Sequence, residues 1–296
     1  MTDPPGLAHA IFGDRLPLAV RYTGWLAGAA VERGLIGPRE TDRLWERHIL
    51  NCAAVAALIP PGSSVIDIGS GAGLPGVVLA LARPDLQITL VEPMLRRTEF
   101  LESVVADLGL TSVRIQRARA EDLPKSRPGL NSAVDCVTAR AVARIDRLAA
   151  AAAPFLRAGG DLLAIKGAGV RAELADGWPG VQRASMTRGV ALFSVSESGV
   201  SVHEAGPPAS EVAVSDNAPA ASWLPGVQVT CLSTWAATGP GEANTADPAD
   251  ADAAAPNGTD TQVGEGAERG SAGPLALVLR LGRAEPVVRK GSRASV

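Results

Sequence analysis

The chain has 296 residues, enough to bury a substantial core in one large domain with additions or in two small ones. Its apolar content is 46%, yet no apolar run reaches the ~18–20 residues that cross a bilayer, which leaves a globular class. The net charge of −3 is uneven, because residues 236–268 hold seven acidic side chains and no Lys or Arg; the remainder is net positive, with clustered arginines that admit an anionic partner.

The N-terminus lacks a basic segment ahead of an apolar core, so no secretory signal is expected. Cys52, Cys136 and Cys231 are odd in number, far apart and set in apolar runs. That pattern reads as small core residues in a reducing cytoplasm and holds no metal site.

Residues 15–31 place Leu18, Tyr22, Leu26 and Ala29 at helical spacing. A second helix is predicted from Pro38 to about Leu58, with His48 on its apolar stripe and Arg47 nearer the polar side. Pro60-Pro61-Gly62 ends it. Next comes Val65-Ile66-Asp67-Ile68-Gly69-Ser70-Gly71-Ala72-Gly73-Leu74-Pro75-Gly76, a β-branched run breaking into alternating glycines before the apolar stretch 77–82. This is strand, turn and helix, the opening unit of a nucleotide-type α/β sheet. Glycines let the backbone turn sharply and approach a ligand, and the helix N-terminus favours a negative group.

Strands are then expected at Gln87–Val91, Val113–Gln116, Ala133–Thr138 and Leu162–Ile165. Between them run an amphipathic helix Arg96–Leu108 and a helix through Ile145, Leu148, Ala152 and Leu156, with Gly159-Gly160 turning into the fifth strand. The alternation implies a mostly parallel sheet covered on both faces, with ligand beyond the carboxyl ends of the strands. Those ends present Gly69, Glu92, the Ala120-Glu121 region, Arg140 and Lys166. Residues 180–222 show only weak strand-like runs, Val227–Leu232 reads as a late strand and Leu275–Leu281 as the last. The segment 236–273 has almost no large apolar side chains to offset the entropy of ordering and reads as a disordered insertion.

Two ligand patterns fit the glycine loop. Gly71-x-Gly73-x-x-Gly76 satisfies the dinucleotide fingerprint, and Asp67-x-Gly69-x-Gly71 satisfies the acidic-Gly-x-Gly pattern of S-adenosylmethionine (AdoMet) methyltransferases. Glu92, at the end of the second strand, suits a ribose diol in either case. Asp67 favours methyl transfer, since an acid there could anchor the ammonium group of AdoMet or hydrogen-bond the loop's own amides. The chain lacks the Asp/Asn-Pro-Pro-aromatic motif of amino-group methyltransferases and a Pro-Cys nucleophile for pyrimidine carbon 5. A guanine N7 needs neither, because its in-plane lone pair requires orientation and no general base.

The series Trp45-Glu46-Arg47-His48-Ile49-Leu50-Asn51, Val65 to Gly76, Arg83-Pro84-Asp85, Glu92-Pro93 with Arg96-Arg97 and Phe100-Leu101, Arg119-Ala120-Glu121, Ala139-Arg140-Ala141 and Lys166-Gly167 occurs in that order. It closely resembles the bacterial 16S ribosomal RNA guanine-N7 methyltransferases, the glucose-inhibited division protein B family, from about residue 11 to 167. The resemblance implies a seven-stranded Rossmann-like AdoMet-dependent methyltransferase sheet with an N-terminal helical cap over residues 1–60. The AdoMet domain would cover 61–235, followed by the acidic insertion 236–273, a final strand over 274–283 and a basic tail over 284–296. The activity implied is methylation of N7 of a guanine in 16S ribosomal RNA or the small ribosomal subunit, by a cytoplasmic and monomeric enzyme.

By matching positions, Asp67, Gly69, Gly71, Gly73, Leu74, Glu92, Ala120, Glu121 and Arg140 are implied around AdoMet. Arg47, His48, Arg140 and Lys166 are implied at the RNA or methyl-transfer site. Where many members carry Asn-Leu-Thr, this chain reads Val31-Glu32-Arg33-Gly34-Leu35-Ile36-Gly37, so part of the entrance differs. The other readings of the same sheet are an NAD(P)-dependent oxidoreductase and a non-catalytic nucleotide-binding protein.

Overall fold

A computed structural model of the chain describes residues 3–196, 199–204, 228–232 and 276–284. The expected insertion 236–273 and all but the first residue of the basic tail lie outside the described residues. The cap starts earlier than periodicity indicates, with α1 (Gly6–Phe12) ahead of α2 (Leu16–Trp25). A π-wound turn, Leu26–Ala30, continues α2. The predicted second helix exists but changes winding along its length. It runs as a 3-10 turn (Pro38–Arg43), a π segment (Leu44–Leu50), the short α3 (Asn51–Ala53) and another 3-10 turn (Ala54–Leu58). Wide π turns inside helices recur at functional sites, and this one carries Arg47 and His48.

The α/β alternation follows. Strand β1 (Ser64–Ile68) leads through the glycine loop to α4 (Gly76–Ala82), and β2 (Gln87–Val91) to α5 (Leu95–Asp107). Strand β3 (Val113–Gln116) leads to the short α6 (Leu123–Ser126) and a 3-10 turn, Pro128–Leu130. Strand β4 (Val134–Arg140) leads to α7 (Ile145–Ala152), and β5 (Leu156–Lys166) to α8 (Val170–Arg183). Four strands complete the sheet: β6 (Arg188–Ser196), β7 (Gly199–Glu204), β8 (Gln228–Leu232) and β9 (Ala276–Gly282).

The strand order is β3-β2-β1-β4-β5-β9-β6-β7-β8. The first five are mutually parallel, and β9 inserts antiparallel between β5 and β6. The expected seven-stranded unit is the run from β3 to β6, extended by β7 and β8 at one edge. The late strand foreseen at 227–232 is β8, and it pairs parallel with β7.

Buried apolar side chains form two layers. One joins the cap, α4 and α5 through Tyr22, Leu26, Ile49, Val78 and Phe100. The other lies under α7 and α8 through Ile145, Leu148, Phe155 and Val181.

Three local expectations need correction. Leu156 begins β5 and is not on the preceding helix, because Pro154 lacks an amide hydrogen and disfavours helical geometry before it. Gly159-Gly160 lie inside β5 where its register with β4 shifts, not ahead of it. A Cβ on Gly160 would stand 2.9 Å from the Asp135 carbonyl oxygen, so glycine permits that close approach. Helix α8 was not foreseen, since Gly177, Pro179 and Gly180 interrupt its pattern. Its glycines serve packing: Cβ atoms there would fall 2.8 Å from Ile145 Cγ2 and 2.6 Å from Asp146 Cβ.

Candidate active site

The carboxyl ends of β1, β2 and β4 surround a cavity of about 300 Å³. Gly69, Glu92, Ala120, Glu121 and Arg140 all line it, from four separate segments. Its wall after β1 is backbone. Gly69, Gly71 and Gly73 have φ of +69°, +57° and +98°, a region that L side chains avoid. Space also forbids a side chain at Gly73, whose Cβ would lie 2.5 Å from Val77 Cγ2 and 2.9 Å from the Tyr22 hydroxyl.

Two acidic side chains hold this loop, Asp67 from behind and Glu92 from the cavity side. Asp67 is fully buried; its Oδ2 accepts from the Gly76 amide at 3.2 Å and its Oδ1 from the Thr138 hydroxyl at 3.0 Å. Burial pushes its carboxyl up to about 7, against the pull of those hydrogen bonds. Asp67 thereby braces the loop through the Gly76 amide. Glu92 accepts from the Gly71 amide (3.0 Å) with one oxygen and from the Met94 amide (3.0 Å) with the other. A carboxylate has about four acceptor positions, so Glu92 keeps capacity for two hydroxyls while it faces the cavity. The cap adds a third brace, as the buried Tyr22 hydroxyl donates to the Ala72 carbonyl at 2.8 Å. Gly73 and Leu74 sit behind the cavity face, Leu74 within the cap-side core.

The wall at the end of β4 is made of side chains. Arg140 Nη2 donates to the Arg47 carbonyl (3.0 Å) and to His48 Nδ1 (2.9 Å), and Nη1 donates to Cys52 Sγ (3.3 Å). His48 Nε2 faces Glu40 Oε2 at 3.1 Å, and Glu40 Oε1 accepts from Arg47 Nη1 at 3.0 Å. Since a guanidinium only donates, Nδ1 must accept and Nε2 carries the hydrogen. Burial, then the Arg140 charge, hold His48 below its ordinary value despite the bond to Glu40. Burial likewise pushes the Cys52 thiol up to about 11, with Arg140 opposing, so this sulfur is an inert acceptor.

Arg47, His48 and Arg140 thus form one array beside the cavity. Lys166 stands apart from the cavity lining: its Nζ donates to the Ala143 carbonyl and to Glu173 Oε1, both at 2.7 Å. Met94 and Val142, each 41% exposed, form apolar lips.

Glu40, Tyr22, Cys52 and Thr138 gained no site role from the sequence. Glu40 alone left a signal, an acid two helical turns before a basic pair. Among the described residues no three His, Cys, Asp or Glu side chains gather as metal ligands, and no helix is long and apolar enough to cross a membrane.

A family model described as rRNA small subunit methyltransferase G (GidB) matches residues 15–192. The chain is similar to the ribosomal RNA small subunit methyltransferase G of Salinispora tropica, at 57% identity over 180 residues, 59% of this chain and 74% of that protein. The protein of the same name from Acidothermus cellulolyticus is 58% identical over 164 residues, 55% of this chain and 71% of that one. Among solved structures, a predicted O-methyltransferase from Agrobacterium tumefaciens aligns at 17% identity with a TM-score of 0.42, covering 50% of this chain and 72% of that one.

Proposed function

This chain belongs to the GidB family, rRNA small subunit methyltransferase G, and from that premise we propose that it transfers a methyl group from AdoMet to N7 of a guanine in 16S ribosomal RNA. The observation that carries the reading is the cavity itself, where Gly69, Glu92, Ala120, Glu121 and Arg140 meet from strand ends far apart in sequence. AdoMet fits these residues. The spare acceptor positions of Glu92 suit a ribose diol, and Gly69, which lines the cavity without a side chain, admits a close ligand. When bound, AdoMet supplies an electrophilic methyl on a sulfonium.

The chain's own residues do the rest. Met94 and Val142 offer apolar surface for a purine that has been looped out of its stack, as access to a base within folded RNA requires. Arg140, fixed by Arg47, His48 and Cys52, holds positive charge at the rim, where it orients an anionic strand. His48 commits both ring nitrogens and remains neutral, so it positions Arg140 and is not a base. N7 has no proton to lose, and orientation is sufficient. Lys166 secures the chain after β4 through the Ala143 carbonyl, and it bears on the site through that loop. The acidic insertion 236–273, the monomeric state, the cytoplasmic setting and a substrate that is either 16S ribosomal RNA or the small ribosomal subunit belong to the same reading.

Primer extension after borohydride and aniline cleavage tests it on ribosomal RNA from cells with and without the protein. A cleavage stop that depends on the protein, and that drops at least about 100-fold in rate with Arg140→Ala while AdoMet still binds, is the expected outcome. An N7 mark that persists without the protein overturns the assignment.

A further inference from the structure

Helix α7 separates the cavity from a second, larger hollow of about 600 Å³ between α7 and α8. Between the two lies a depression of about 440 Å³, which shares Glu121 and Val142 with the cavity and Arg147 and Ala150 with the hollow. The three recesses therefore join into one track across α7. The crossing is low because α7 presents the exposed Ala150 and the half-buried Ala151 there, and Arg147 is the long side chain standing on it. Arg183 lies on the far bank, and Arg283 closes the end with its guanidinium held by the Ser132 hydroxyl at 3.0 Å.

Among the described residues, arginines outnumber acids along this track. Its acids already face arginines, Glu121 with Arg119 at 3.9 Å and Asp146 with Arg144 at 3.8 Å. Arg147 and Arg183 are exposed and have no acidic partner among the described residues. Two exposed guanidiniums beside an alanine saddle suit a chain of phosphates with sugars lying flat between them.

We propose that this track seats the sugar–phosphate backbone of the RNA flanking the target guanine, leading it from the cavity over α7 to Arg183. The proposal rests on the reading of the chain as an rRNA methyltransferase.

The test compares the full-length wild type with R147E/R183E and R147K/R183K, using 16S ribosomal RNA and small subunits as probes. Binding is measured across a salt series and methyl transfer at varied RNA. For the glutamate pair, the slope of log affinity against log salt is expected to lose about 1.4, at about 0.7 per phosphate contact on a single strand. Its KM for RNA is expected to rise about tenfold, well beyond any fall in kcat. The lysine pair keeps its charge and is expected to retain most of the slope. AdoMet affinity by calorimetry reports an intact fold, and R147A/R183A replaces the glutamate pair if that fold is lost. A glutamate pair with the wild-type slope and KM overturns the track and leaves the enzyme reading standing. A wild type that moves no methyl onto either RNA overturns both.

Discussion

The two walls of the cavity differ in what they are made of. The loop after β1 is backbone, with three glycines at positive φ and two carboxylates and a tyrosine hydroxyl bonding main-chain groups. The wall at the end of β4 is a side-chain array, Glu40 to His48 to Arg140 to Cys52, drawn from the cap and the sheet. A wall of backbone fails when an atom is added to it, because the surrounding packing cannot give. A wall of side chains fails when an atom is exchanged, because its contacts are directional and partly charged.

Gly73→Ala is the strongest way to break the first wall. Its Cβ would meet Val77 and the Tyr22 hydroxyl at a φ of +98°. The expected loss is about 3 kcal/mol of unfolding free energy, together with AdoMet binding, read by urea denaturation and calorimetry. A wild-type midpoint would mean that the loop has slack and that the walls do not differ as described.

Arg140→Lys probes the second wall. It keeps the charge but lacks the fork that reaches Cys52, His48 and the Arg47 carbonyl together. The expected cost is about 2 kcal/mol in the same denaturation experiment. Full stability in the lysine variant would show that charge alone fixes this wall.

Asp67→Asn sharpens the comparison through pH, with the smallest effect per pH unit. The unfolded chain ionises Asp67 near ~3.9, and the folded chain does so at about 7. Between those values the native state holds a proton that the unfolded state has lost. The stability contribution of Asp67 is therefore complete below the unfolded value and is lost as pH rises through the folded one. The wild type should lose stability relative to Asp67→Asn between pH 4 and 7, by no more than about 1.4 kcal/mol per pH unit. Parallel pH curves for the two proteins would show that Asp67 is not held protonated.

Legibility in the sequence follows the same division. The glycine loop announced itself because backbone conformation is written in the residues that adopt it, and Gly69, Gly71 and Gly73 are neighbours in sequence. Strand β2 ending at Val91 before Glu92 was equally plain from alternation and the following proline. Helix α8 was hidden, since Gly177 and Gly180 look like breakers until Ile145 and Asp146 are seen against them. Glu40 and Cys52 could not be joined to Arg140 by any local pattern, for Cys52 and Arg140 are 88 positions apart.

By itself the sequence determined the alternation of strands and helices, the sheet that follows from it and the edge where ligand belongs, because these depend on periodicity and turn geometry over a few residues. Only the tertiary structure decided that Asp67 faces inward, that His48 is held between an acid and a guanidinium, and that Lys166 lies off the cavity. Those outcomes depend on which side chains meet after the chain has folded back on itself, and burial and hydrogen bonding at such meetings are set by distance in space, to which order along the chain is no guide.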